Sequence, residues 1–234
     1  MKSTDIRQGT IDWRQIDTVL LDMDGTLLDR HFDDYFWLCY VPENYALSHG
    51  LEIDEARRRL HAEFERHQGT LAWSDLDFWS RELQLDIPAL KRRIDALVAV
   101  HPYVTEFLEF CQQQQKEIYL VTNAHRQTLE IKMARAPLLG YCQGVVCAEE
   151  MGRAKEEAEF WPRLQKRLGY RKKSTMLADD NERVLAAAEQ HGLGGLVHIA
   201  RASSRSPITP SVRYTSIIDF RELITIQQCR QPSI

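Results

Sequence analysis

Thr18-Val-Leu-Leu-Asp22-Met-Asp24-Gly25-Thr26 is the stretch that decides the fold of this chain. Residues 18–21 are apolar without polar alternation, which reads as a short strand buried on both faces, as in a parallel sheet. The run ends in Asp22, so the strand delivers a carboxylate at its C-terminal end. Asp24 follows two positions later and can point into the same crevice. Gly25 lets the chain turn without a Cβ penalty. A metal held beside a phosphate needs such an arrangement, with hard oxygen ligands next to open backbone N–H groups. The segment also fits a plain Asp-rich turn after a strand.

Similar runs recur along the chain. Residues 117–122 (Glu-Ile-Tyr-Leu-Val-Thr) end in Thr122-Asn123, and residues 174–178 (Ser-Thr-Met-Leu-Ala) end in Asp179-Asp180. Residues 144–147 form a weaker run, and 195–199 follow a Gly-Leu-Gly-Gly turn. Helical spacing fills the intervals near 103–115, 126–136, 155–168 and 181–191. This alternation predicts an α/β fold, a doubly wound, mostly parallel Rossmann-like sheet. Ligands of such sheets sit beyond the carboxyl ends of the strands. Asp22, Thr122, Asn123, Asp179 and Asp180 all fall there.

The interval from 30 to 100 breaks the alternation. EARRRLHAEFERH, SDLDFWSREL and PALKRRIDALVA all have helical spacing, with no strand between them. The expected organisation is a core of residues 1–29 and 101–234, with a helical insert, 30–100, after the first strand. A chain of 234 residues has length enough for one sizeable core plus such an insert. The polar tail, 225–234, is expected to fray.

Composition narrows the function. The net charge of −4 disfavours a nucleic-acid polymer as partner, while a few local cations and a metal suffice for one phosphate. The five cysteines, Cys39, Cys111, Cys142, Cys147 and Cys229, are odd in number and lack CxxC spacing. A disulfide framework or a zinc site is therefore not expected, and a reducing, cytoplasmic setting fits. There is no signal-like apolar segment near the N-terminus and no run of about 18 apolar residues, so no membrane span is expected.

Taken singly, the other polar groups have ordinary readings. Thr122-Asn123 can hold phosphate oxygens or simply start a turn. Lys155 opens a predicted helix and, alone, resembles any solvated lysine. Adjacent carboxylates such as Asp179 and Asp180 repel one another at a buried strand end unless a cation joins them, or one caps the next helix. Arg57-Arg58-Arg59, Lys91-Arg92-Arg93 and Arg171-Lys172-Lys173 read as solvated faces. His125 stands near the Thr122 motif, and Cys147 reads as a buried strand residue.

Their order carries more than any one of them. DxDGT, Thr-Asn, Lys and Asp-Asp in sequence resemble the four motifs of the haloacid dehalogenase superfamily, and the insert resembles its helical C1 cap. LLDMDGTLLD, DDYFW, LAWSDLDFWS and VTNAH are similar to the GMP/IMP 5′-nucleotidase subfamily, over roughly residues 13–222. The resemblance implies a Mg2+-dependent phosphatase acting on a small phosphorylated substrate, a purine nucleoside monophosphate. It implies Asp22 as a nucleophile that becomes phosphorylated, and Asp24 as general acid then base, its backbone carbonyl on Mg2+. Thr122 and the Asn123 backbone would bind phosphate oxygens, and Lys155 would neutralise charge. Asp180 would complete the metal site, with Asp179 as a ligand or a support behind it.

Two departures stand out. Ala178 precedes the acidic pair where many relatives carry a larger apolar residue, and Gly152-Arg-Ala-Lys155 differs from the Gly-x-Pro-Lys of close relatives. In the insert, Asp33, Tyr35, Phe36, Trp37, Trp73, Asp77, Phe78 and Trp79 supply either purine-stacking rings and a base-reading acid or the insert's own core. A sugar-phosphate phosphatase or phosphomutase shares Asp22 and Asp24, and a non-catalytic binding protein would share the fold. Dehalogenation needs no acid at Asp24 and is disfavoured.

Overall fold

The protein is described from a computed structural model covering residues 11–228. Strand β1 (Thr18–Leu21) is buried along its whole length. It is followed by six helices: α1 (His31–Tyr35), continuing through a π-helical turn at Phe36–Tyr40 into α2 (Val41–His49), then α3 (Ile53–His67), α4 (Leu71–Ser74), α5 (Leu76–Leu83) and α6 (Ile87–Arg93). After the 3-10 turn Asp95–Leu97 come α7 (Val104–Gln113), β2 (Glu117–Thr122), α8 (Arg126–Arg135), β3 (Gly144–Cys147), α9 (Ala148–Met151) and α10 (Phe160–Leu168). The chain then forms β4 (Thr175–Asp179), α11 (Glu182–His191), β5 (Gly195–Ile199), β6 (Thr215–Ile217) and α12 (Arg221–Gln228).

The sheet order is β3-β2-β1-β4-β5-β6, and every described pairing is parallel. Successive strand residues face opposite sides. Val19, Leu21, Ile118, Leu120, Met176 and Val197 pack with α7, α8 and α12. Leu20, Val121, Val146 and Leu177 pack with α10 and α11 on the other side. Helices on both faces explain why the strands lack polar alternation. The winding runs from β1 through β2 to β3, then returns to the far side of β1 with β4. The reversal therefore lies between β1 and β4, which puts the carboxyl ends that carry Asp22 and Asp179 side by side.

The helices between β1 and α7 build a separate apolar cluster around Phe36, Val41, Leu60, Phe64, Leu76, Trp79 and Ile87. Their rings interlock edge to face, with Trp79 5.1 Å from Phe64. Trp79 Nε1 donates to the Trp73 carbonyl at 2.9 Å. Asp75 caps α5, its Oδ1 accepting from the N–H groups of Asp77 and Phe78.

Several expectations change. The expected parallel sheet gains a sixth strand, β6, parallel to β5 like the other described pairings. The helix expected from residue 155 begins at Phe160, because Glu157 and Phe160 donate to the Ala154 and Glu157 carbonyls in successive tight turns. Lys155 thus sits in a turn, not at a helix start. Helix α12 runs through 225–228 of the tail expected to fray, while 229–234, with Cys229, and 1–10 lie outside the described residues. Lys91, expected on a solvated face, is only 1% exposed. Arg92 and Arg93 beside it are exposed. Among the described residues no helix is long and apolar enough to cross a membrane, and Cys39, Cys111, Cys142 and Cys147 are free thiols.

Candidate active site

Parallel pairing sets the site. Leu21 lies opposite Ala178, and the Asp22 N–H donates to the Ala178 carbonyl at 3.1 Å. Asp22 and Asp179 therefore leave the sheet as neighbours. Oxygens of Asp22, Asp179 and Asp180 all lie within 4.8 Å of one another. Lys155 Nζ reaches between two of them, 2.5 Å from Asp22 Oδ1 and 2.7 Å from Asp179 Oδ2. It also donates to the Val121 carbonyl at 3.2 Å. The turn holding Lys155 is fixed from three sides. Its N–H donates to Asn123 Oδ1 at 2.9 Å, its carbonyl accepts from Trp161 Nε1 at 2.9 Å, and the Ala154 N–H donates to Glu157.

These carboxylates are buried with too little compensating charge. Burial pushes Asp22 up to about 7, helped by Asp179 and Asp24 and opposed by Lys155. Burial likewise raises Asp179 to about 6 and Asp180 to about 7, the latter with repulsion from Asp22. The Lys155 ammonium is held above its usual range because Asp179 and Asp22 outweigh its own desolvation. Gly25 lies against this cluster at φ +85°, and a Cβ there would meet Asp180 Oδ2 at 2.6 Å. Hard oxygen donors drawn together, with a backbone cradle beside them, fit a small divalent cation.

The cluster lies in a cavity of about 600 Å³. Thr122, Asn123, Asp22, Asp24, Lys155, Asp179 and Asp180 all line it, so the sequence-predicted residues converge on one place. Thr122 Oγ1 accepts from the Ala124 N–H at 3.0 Å, which turns the loop after β2. Asn123 does more than offer its backbone: its side chain accepts from Lys155 N–H and donates to Glu156 at 2.8 Å. Glu156 also accepts from Asn181 Nδ2 at 2.9 Å. Asn181, not an aspartate, caps α11 by accepting from the Arg183 N–H.

Asp24 is placed differently from the other acids. Its side chain lies outside the three-carboxylate cluster, and Oδ1 accepts from Lys132 Nζ at 2.5 Å. Burial raises its carboxyl, against the pull of Lys132. Sequence reasoning missed Lys132, Lys91, Arg30 and Glu156. Arg30 donates to Asp180 Oδ2 at 2.7 Å and pairs with Asp34 at 3.4 Å. Asp33, one of two insert acids open to either a base-reading or a structural role, is tied to Lys91 and Lys132, which outweigh burial and hold it down to about 2. Of the insert rings, Trp37 and Trp73 line the cavity, while Phe36 and Trp79 are core. Tyr35 stacks near Tyr40, Asp77 is exposed, and Phe78 packs against Trp79. His125 does not line the cavity; it faces Glu149 at 3.3 Å and lies close to Asp75 and Asp77.

Comparison with known proteins gives the family and the fold. The haloacid dehalogenase-like hydrolase family profile matches residues 16–192. The chain is 34% identical to the GMP/IMP nucleotidase YrfG of Escherichia coli K12, over 92% of this chain and 96% of that protein. Its fold is similar to a HAD phosphatase from Thermococcus onnurineus, with TM-score 0.76 and 24% identity over 91% of this chain and 98% of the other. It is also similar to a putative beta-phosphoglucomutase from Thermotoga maritima, with TM-score 0.66 and 18% identity over 92% of this chain and all (100%) of the other.

Proposed function

The chain belongs to the haloacid dehalogenase-like hydrolases, and from that premise we propose that it is a Mg2+-dependent phosphate monoester hydrolase acting on purine nucleoside 5′-monophosphates. The observation that carries the reading is Lys155 lodged between Asp22 and Asp179, beside Asp180, on a cavity large enough for a nucleotide. The similarity to a GMP/IMP nucleotidase supports the choice of substrate. Residues 30–100 act as the cap, and 1–29 with 101–234 as the core.

An aspartate approaching a phosphate dianion is repelled by several kcal/mol at about 4 Å and an effective dielectric near 20. The Lys155 ammonium offsets part of that repulsion. Asp22, Asp179, Asp180 and the Asp24 carbonyl would hold Mg2+, which supplies Lewis-acid polarisation of the phosphoryl oxygens. Thr122 and the Asn123 backbone orient the remaining oxygens. The free oxygen of Asp22 attacks phosphorus, and the ester P–O bond breaks with its electron pair leaving on the nucleoside oxygen. Asp24, raised by burial and so able to carry a proton, donates it to that oxygen. Water then attacks the aspartyl phosphate, Asp24 takes the water's proton, and phosphate leaves with Asp22 restored. Trp37 and Trp73 offer ring faces to the base and exclude water.

The test is phosphate release from IMP, GMP, AMP and a set of sugar phosphates with Mg2+. We expect kcat/KM for IMP and GMP at least about tenfold above the rest, the ratio that about 1.4 kcal/mol of differential transition-state binding gives. Preference for a sugar phosphate would move the assignment to that class, and no release from any ester would end it.

A further inference from the structure

Four charges run in single file from the helical insert to Asp24. Lys91 Nζ donates to Asp33 Oδ1 at 2.9 Å, Asp33 Oδ2 accepts from Lys132 Nζ, and Lys132 Nζ donates to Asp24 Oδ1 at 2.5 Å. The signs alternate. Asp33 stands on α1 and Lys91 on α6, both in the insert, whereas Lys132 stands on α8 and Asp24 follows β1. Helix α6 packs against α8, and Asp95 of the insert pairs with Arg135 of α8 at 2.7 Å, so α8 is where the insert seats on the sheet.

Both lysines are 1% exposed and lie among rings. Lys91 Nζ is 4.5 Å from the Phe36 centroid, and Lys132 Nζ is 5.1 Å from that of Phe32. Desolvating two ammonium groups is expensive, and apolar side chains of similar volume would fill the space without that cost. Packing alone therefore does not account for the pair. Among the described residues, Lys132 is the donor that holds the Asp24 carboxylate. Its bond occupies Oδ1 of a residue that lines the cavity, so the hold on Asp24 is at the cavity wall.

We propose that Lys132 is a positioning residue for Asp24, braced by Asp33 and Lys91, so that Asp24 is aimed at the leaving-group oxygen only while the insert is seated. This rests on the phosphatase reading, in which Asp24 protonates the departing oxygen. A misplacement of about 1 Å can cost a hundredfold in rate, which is the scale on which such a brace acts.

The leaving group separates positioning of an acid from general support of the fold. A nucleoside 5′-oxygen needs the proton, whereas p-nitrophenolate departs without one. We expect Lys132→Met to lower kcat/KM on IMP by about a hundredfold, within the range general acid catalysis supplies; this ratio reads only the steps up to departure of the leaving group, so the later water attack that Asp24 also assists does not enter it. On p-nitrophenyl phosphate kcat/KM of the same variant should fall less than about threefold, because little acid assistance is needed there. Asp33→Asn keeps the Lys132–Asp24 contact but removes the brace, and should show the same selectivity with about a tenfold loss on IMP. Equal losses of kcat/KM on both esters, or none, in a variant that still melts cooperatively would overturn the proposal. If Lys132→Met does not fold, Asp33→Asn decides by the same criterion. If the wild-type protein hydrolyses neither ester, the phosphatase reading fails, and the test of Lys132 is not what failed.

Discussion

At Gly25 the backbone and the acidic cluster compete for the same space. With φ at +85° and a would-be Cβ 2.6 Å from Asp180 Oδ2, a side chain must either strain the turn or push Asp180 aside. Gly25→Ala should therefore raise the Mg2+ concentration for half-maximal activity by about tenfold or more, because positioned oxygens set affinity for that ion; a Mg2+ titration of activity reads this. Asp22→Asn removes the nucleophile and should lower kcat by at least about 10⁴-fold, as loss of a covalent catalyst does elsewhere; single-turnover phosphate release measures it, and surviving turnover would refute the assignment. The raised carboxylates give a pH prediction. Asp22, Asp179 and Asp180, near 7, 6 and 7, bind more protons folded than unfolded between about pH 4 and 7. In that window the cation-free protein loses stability as pH rises. Mg2+, which competes with those protons, should raise the melting temperature more at pH 8 than at pH 5; an equal shift at both would contradict the site. Asp22, Asp179 and Asp180 were legible because each ends an apolar run. Lys132 was not, since IKMAR reads as an ordinary helix surface and its partners lie 108 and 99 residues away.

Between elements, Glu156 does what no strand end can do alone. It accepts from Asn123 Nδ2 and Asn181 Nδ2, joining the loop after β2 to the cap of α11. Glu156→Ala frees both amides and should lower kcat/KM by about ten- to a hundredfold, because the phosphate-binding loop and the acidic loop lose their common reference. Stopped-time assays on IMP check this, and an unchanged value would show that the loops hold their places independently. The strands that carry the site were readable from uninterrupted aliphatic runs. Strand β6 was not, because three residues are too few to show a period. The start of α10 was misread because Lys155-Glu-Glu-Ala has helical composition. Hydrogen bonds from Asn123 and Trp161 to the Lys155 backbone hold it in a turn instead.

At the scale of the molecule, two bodies of packing meet over one cavity. The insert's ring cluster and the sheet's two apolar layers are separate, and ion pairs on α8 join them, the Lys132–Asp33 pair buried and the Arg135–Asp95 pair exposed. The 30–100 interval was legible as helical from spacing alone. Which of its rings face the cavity was not, since periodicity marks a buried stripe without saying what buries it. Trp73 lines the cavity, so Trp73→Leu should raise KM for IMP by about tenfold, the scale of one lost base–ring stack. Its kcat/KM on p-nitrophenyl phosphate should stay within about threefold, and a parallel loss on both would make Trp73 purely structural.

The sheet also ends on short strands, β3 with four residues and β6 with three. Open rims this brief expose few unpaired amides to another chain. Self-association by strand addition has little to grip, so refolding from denaturant should give native protein in a yield that falls little as concentration rises.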